Sequence, residues 1–241
     1  MPELPDVLIY VEKLRERLIG RPVRRVRVMG PFLVRTVDPP IEALEGATVQ
    51  DVQRMGKQIV IRFDAQVILV VHLMIAGRFR WLPPAGKPPA RITQAVFEFD
   101  HGTLAITEAG KKKRAYLHVL RGEEALGDLD RGGLNVLETD AAAFRSALVR
   151  ENHTLKRSLT DPRLFDGIGN AYSDEILHAA RLPPTALTQR LQSDEIDRLH
   201  EAAKRVLTHW IARLRVTFEG RFPRAGEITA FRDGFAVHGR Y

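Results

Sequence analysis

QIVIRF (Gln58–Phe63) and VILVVHLMI (Val67–Ile75) are short apolar runs rich in β-branched side chains, parted only by Asp64-Ala65-Gln66. At this length, bounded by turn residues, both read as strands. On either side lie VRRVRV from Val23, ATVQDV from Ala47, RFRWL from Arg78, AVFEFD from Ala95, TLAIT from Thr103 and AYLHVL from Ala115. So many strands in succession predict a β-sandwich or flattened barrel. Asp100-His101-Gly102 reads as a hairpin turn, and Pro83 to Pro89 as a Pro-rich loop.

The strands are preceded by Val7, Leu8, Val11, Leu14 and Leu18 at helical spacing, ending at Gly20. Those positions predict one amphipathic helix. Beyond Gly132-Gly133 the period becomes helical. Helices are expected over about 141–150 and 154–160, from Asn170 to before Pro183-Pro184, and from Ser193 to about Arg215. The last carries Ile196, Leu199, Ala203, Val206, Leu207, Trp210 and Leu214 on one face. The fold class expected is therefore α+β: an N-terminal β-sandwich domain with an amphipathic helix over 1–134, and a helical domain over 135–241.

Lys and Arg number 37 against 30 Asp and Glu, a formal charge of +7, with a pI near 10.0. That balance suits a protein that meets a polyanion. There is no cysteine, which excludes disulfides, thiolate zinc and a thiol nucleophile. The eight histidines show no close ligand pairing, so no metal site is expected. No signal-peptide pattern and no run long enough to span a bilayer is present, and a cytoplasmic, nucleoid-associated monomer is expected.

The chemistry centres on MPELPD at residues 1–6. Removal of Met1 would leave Pro2 with a free α-amine, whose ordinary pKa of about 8 leaves a nucleophilic fraction near neutrality. Attack by that secondary amine on a sugar C1' gives an iminium, an electron sink that favours loss of phosphate. Glu3 beside it can move protons. The same residues are also what an ordinary helix start uses.

MPELPD resembles the N-terminal motif of the formamidopyrimidine-DNA glycosylase and endonuclease VIII family, with Asp6 where Glu is more usual. Arg54-Met55-Gly56-Lys57 is similar to the family's hairpin lysine. Asn152 to Lys156, followed by Leu159 to Asp161 and Gly167-Ile168-Gly169-Asn170-Ala171-Tyr172-Ser173-Asp174-Glu175, is similar to its helix-two-turn-helix motif. His72-Leu73-Met74 is similar to its segment whose methionine fills the stack after base flipping. The resemblance implies Pro2 as nucleophile, Glu3 as acid/base and Lys57 as catalytic lysine. It also implies His72, Met74, Lys156, Gly169 and Asn170 as DNA contacts, the last three gripping backbone phosphate at a helix start.

Two stretches depart from the pattern. Where one branch carries an Asp-Pro-Arg-Arg-Phe-like loop, this chain has Thr107-Glu108-Ala109-Gly110-Lys111-Lys112-Lys113-Arg114-Ala115-Tyr116, with four consecutive cations suited to phosphate, no phenylalanine wedge and no assignable counterpart of the loop arginine. Val237 to Tyr241 resembles the lead-in to the family's four-cysteine zinc finger, which does not follow, so no cofactor is expected within these residues and truncation is the expected cause. The function implied is a base-excision glycosylase and AP lyase on duplex DNA carrying oxidised or ring-opened bases, purines before pyrimidines, or abasic sites. The alternatives are an endonuclease VIII-like enzyme for oxidised pyrimidines and a non-catalytic nucleic-acid binder. A small-molecule enzyme with an N-terminal proline would leave the basic helical half without a purpose.

Overall fold

The computed structural model describes residues 1–240. The chain divides into two compact units, one comprising Met1–Pro2, Val7–Asp130 and Phe218–Ile228, the other Glu3–Asp6, Arg131–Thr217 and the residues from Thr229 onward.

The first unit holds two four-stranded antiparallel sheets. One contains β1 (Arg25–Val28), β5 (Gly77–Leu82), β6 (Thr93–Phe99) and β7 (Gly102–Glu108), in the order β1-β6-β7-β5. The other contains β2 (Val49–Met55), β3 (Gln58–Phe63), β4 (Val67–His72) and β8 (Tyr116–Arg121), in the order β2-β3-β4-β8. All eight expected runs form strands. Interior β7 is buried along its whole length and interior β4 at all but its last residue, whereas edge β2 buries only Val49 and Val52. This is why β4 reads as an unbroken apolar run up to His72: both faces are covered. Helix α1 (Leu4–Leu18) sets Tyr10 edge-on to Phe79 of β5, ring centroids 5.3 Å apart. Such a contact adds roughly 1 kcal/mol beyond area burial.

Turn chemistry fixes the register. Asp100 and His101 close the β6–β7 hairpin with Phe99 opposite Gly102. A Cβ on Gly102 would lie 2.3 Å from Trp81 Cζ2, so no larger residue fits there. The run from Val67 does not stay a strand to Ile75. It stops at His72, because Met74 adopts φ 52° in a tight turn that Gly77 closes by donating its N–H to Leu73 O at 2.9 Å. The short helix α2 (Gly122–Gly127) was not expected. Its six residues, opened and closed by glycine, are too few to show a period.

In the second unit, α3 (Ala141–Val149) is capped by Asp140, whose side chain accepts the Ala143 N–H at 2.7 Å. Helices α4 (Leu155–Thr160) and α5 (Asn170–Ala180) flank the two turns of the expected motif, and α6 (Ser193–Thr217) is the longest. Of the apolar positions read on α6, all are buried except half-buried Val206. They close on a core in which Phe144 packs on Phe165, centroids 4.7 Å apart, and Trp210 on Phe235 at 4.6 Å. Among the described residues no helix is long and apolar enough to cross a membrane.

Candidate functional site

Glu3 is buried, and its carboxylate accepts three backbone N–H groups at the head of α5: Gly169 at 2.8 Å, Ala171 at 2.9 Å and Tyr172 at 3.1 Å. These are donors that a helix start leaves unpaired, and their positive end suits an anion. The side chain thus occupies the helix start that the sequence reading offered to a phosphate. Gly169 is required for that purpose, since a Cβ there would lie 2.5 Å from Glu3 Cδ. Its amide is committed to Glu3, while the Asn170 residue beside it is exposed.

The start of α1 is held by the same few residues. Asp6 Oδ2 accepts the Glu3 N–H at 2.9 Å, the back-bond of a capping box. Its other oxygen pairs with Arg232, and both side chains are buried. Leu4 donates its N–H to Gly167 O at 2.9 Å. Pro2, bonded to Glu3, is buried as well. The spacing of Glu3 and Asp6 announces a capping box; nothing in the sequence announces Arg232.

In the first unit, Gly56 and half-buried Lys57 form the two-residue turn between β2 and β3, with Met55 opposite Gln58. Gly56 takes φ 62°, the left-handed conformation such turns favour. Gln58, His72 and Tyr116 then stand side by side across β3, β4 and β8. Tyr116 stacks on His72, centroids 5.1 Å apart, and Gln58 Nε2 donates to the Tyr116 hydroxyl at 3.2 Å. Burial, with the Lys57 charge second, lowers the His72 pKa to about 4. The ring is therefore neutral near pH 7. Its Nδ1 accepts the Met74 N–H at 3.0 Å, which leaves the proton on Nε2 as a donor. Met74 is half-buried in a turn rather than within a strand.

Lys111, Lys112, Lys113 and Arg114 are all exposed. Beneath them the buried Glu108 carboxylate accepts the N–H of Arg114 at 3.0 Å and of Ala115 at 3.2 Å, so the loop is pinned from inside. Lys156 is not a free cation: it pairs with Asp174 at 2.5 Å and donates to Asn170 O at 2.6 Å, while His238 contacts the other Asp174 oxygen at 2.7 Å. Glu108, Tyr116 and Asp174 lie in stretches quoted from the sequence, but no local pattern there marks the contacts they make.

Residues 1–114 match the family model of the formamidopyrimidine-DNA glycosylase N-terminal domain, and residues 135–219 match that of its H2TH domain. The chain belongs to the formamidopyrimidine-DNA glycosylase family. It is 31% identical to the formamidopyrimidine-DNA glycosylase of Heliobacterium modesticaldum over all of this chain and 89% of that protein. To that of Symbiobacterium thermophilum it is 33% identical, over 90% of this chain and 72% of the relative. A Lactococcus lactis mutant of the family, solved with Fapy-dG-containing DNA, superposes with a TM-score of 0.83 at 24% identity, covering 95% of this chain and 84% of the other, a likeness of fold. The family's four-cysteine zinc site finds no donors in these residues. There is no cysteine, and among the described residues no group of three His, Asp or Glu side chains could hold a metal ion.

Proposed function

We propose that this chain is a base-excision-repair DNA glycosylase and AP lyase that acts on oxidised or ring-opened bases, purines preferred, through covalent catalysis by Pro2. Once Met1 is removed, the Pro2 nitrogen attacks C1', the N-glycosyl bond breaks and the base leaves with a proton. The C1'–O4' bond of the sugar ring then breaks, O4' taking a proton, and leaves an iminium between C1' and the Pro2 nitrogen. The resulting iminium acidifies C2'; loss of that proton breaks the C3'–O bond, and a second elimination breaks the C5'–O bond. Glu3 protonates the sugar ring oxygen and then carries protons through the eliminations. Lys57 and the neutral His72, with its Nε2–H donor, meet the phosphates beside the lesion, and Met74 fills the vacated stack. Asn170, Lys156 and the Lys111–Arg114 loop hold more distant phosphates.

The observation that carries this reading is the Glu3 carboxylate, buried on three backbone donors in the residue next to Pro2 in the chain. A helix cap alone would not need a carboxylate fixed from the far side by another helix. The purine preference is supported by the activity for which the Heliobacterium relative is named. The pI near 10.0 supports a cytoplasmic, nucleoid-associated location.

Borohydride reduction in the presence of abasic duplex DNA tests the reading. A covalent adduct is expected with the chain that begins at Pro2 and none with a form that retains Met1, because only the free amine forms a reducible iminium. Equal trapping by both forms would remove Pro2 from the mechanism.

A further inference from the structure

The Asp6–Arg232 pair bears on the acid/base group without touching the reaction. Glu3 and Asp6 are two buried carboxylates joined by one hydrogen bond, from the Glu3 N–H to Asp6 Oδ2 at 2.9 Å. Arg232, whose side chain is 8% exposed, pairs its cation with Asp6. The groups that face this cluster come from three elements. Asp6 stands on α1, Tyr172 and the backbone donors to Glu3 stand at the head of α5, and Arg232 comes from the segment after Thr229. Pro2 precedes Glu3, joined to it by the peptide bond. Tyr172 is itself buried, and its hydroxyl is kept protonated first by burial and then by the Asp6 charge.

We infer that Arg232 is a positioning residue for Glu3: by neutralising Asp6 it fixes the Glu3 backbone and keeps a second buried negative charge from acting on the Glu3 carboxylate. This rests on the reading of Glu3 as the acid/base group. A buried ion that loses its partner either binds a proton or repels like charge nearby. Without Arg232, Asp6 would raise the proton affinity of Glu3 and loosen its main chain. The Glu3 step should then move to higher pH, while attack of Pro2 on an open abasic site, which needs no base expelled, should change far less.

The experiment compares Arg232→Met, Arg232→Lys and the double variant Asp6→Asn/Arg232→Met. Single-turnover excision of an oxidised purine is measured against pH, beside borohydride trapping on abasic duplex. Arg232→Met should excise at least roughly tenfold more slowly at pH 7, as small misplacements of catalytic groups do. Its excision profile should shift upward by about one pH unit, with trapping reduced far less. Arg232→Lys keeps the charge and should keep the pH profile; the double variant, with neither charge, should move it back. Equal loss of excision and trapping with an unshifted profile, or a double variant no better than Arg232→Met, would overturn the inference. If Arg232→Met does not fold, the profiles of the lysine and double variants decide: a profile moved in both, as a mere structural role would give, also overturns it. Glu3→Gln separates the two ideas, because full excision by that variant removes Glu3 as acid/base whatever the Arg232 variants do.

Discussion

The polar ends of the two units are built by opposite means. In the first, Gln58, His72 and Tyr116 face one another on regular strands and are held by side-chain contacts, together with the main-chain N–H that Met74 donates to His72. In the second, Glu3 is held by main-chain N–H groups of a helix it does not belong to. Side chains on a sheet can shift by a rotamer and keep their contacts. A carboxylate clasped by backbone has no such freedom, since its donors move only with the helix. The second arrangement is the more precise and the more easily broken, and that precision is what the acid/base role proposed for Glu3 would need.

Gly169→Ala puts the greatest load on that contrast. The new Cβ would sit 2.5 Å from Glu3 Cδ and displace it. Excision should fall by about a hundredfold or more, with a stability loss of about 1–3 kcal/mol, read from single-turnover kinetics and urea midpoints. Normal excision by this variant would mean that the clasp is dispensable. Glu108→Gln asks whether a backbone-held carboxylate in the first unit is equally brittle. With one acceptor oxygen replaced by a donor, the Arg114 and Ala115 amides are left short of partners, at a cost of about 1–3 kcal/mol. Because Glu108 orders only the cationic loop, abasic trapping should persist and DNA affinity at low salt should drop a few-fold. Loss of trapping would place the loop in the chemistry itself.

The smallest effect concerns His72 and appears as a pH dependence. Its folded pKa of about 4 lies below the ordinary 6.5. Between those values the unfolded chain binds the proton and the folded chain does not, so the contribution to stability is full above pH 6.5. It fades as pH falls towards 4 and is spent below that. The whole span is worth at most about 3 kcal/mol. Urea midpoints from pH 7 to 4 should fall more steeply for the parent than for His72→Gln. Parallel curves would mean that His72 is not held neutral.

Most of the backbone was legible because its signals are local. Eight apolar runs gave eight strands, and the buried face of α6 follows from its spacing. Where the reading slipped, a local signal was absent or outweighed. The apolar run from Val67 hides a turn made by the left-handed backbone of Met74, a conformation few would assign to methionine. The resemblance brought Glu3 into view, yet the residues that hold it lie 166 to 169 positions away, and Arg232 lies 226 positions from Asp6. No periodicity reaches across such distances. Lys156 was read as a phosphate contact without its ion-pair partner for the same reason, Asp174 coming beside it only once α4 and α5 are packed.

Glu175 has a consequence in time. Its carboxylate takes the N–H groups of Ala236, Val237 and His238, fastening the stretch that begins with Arg232. A chain emerging from the ribosome makes Asp6 226 positions before Arg232, at about 5–20 residues per second. The eight strands can pair early, but the Asp6–Arg232 pair has to wait many seconds until Arg232 is free of the exit tunnel. The two residues that pair beside Glu3 are therefore made far apart in time, and the start of α1 can take its final form only after the segment carrying Arg232 has emerged.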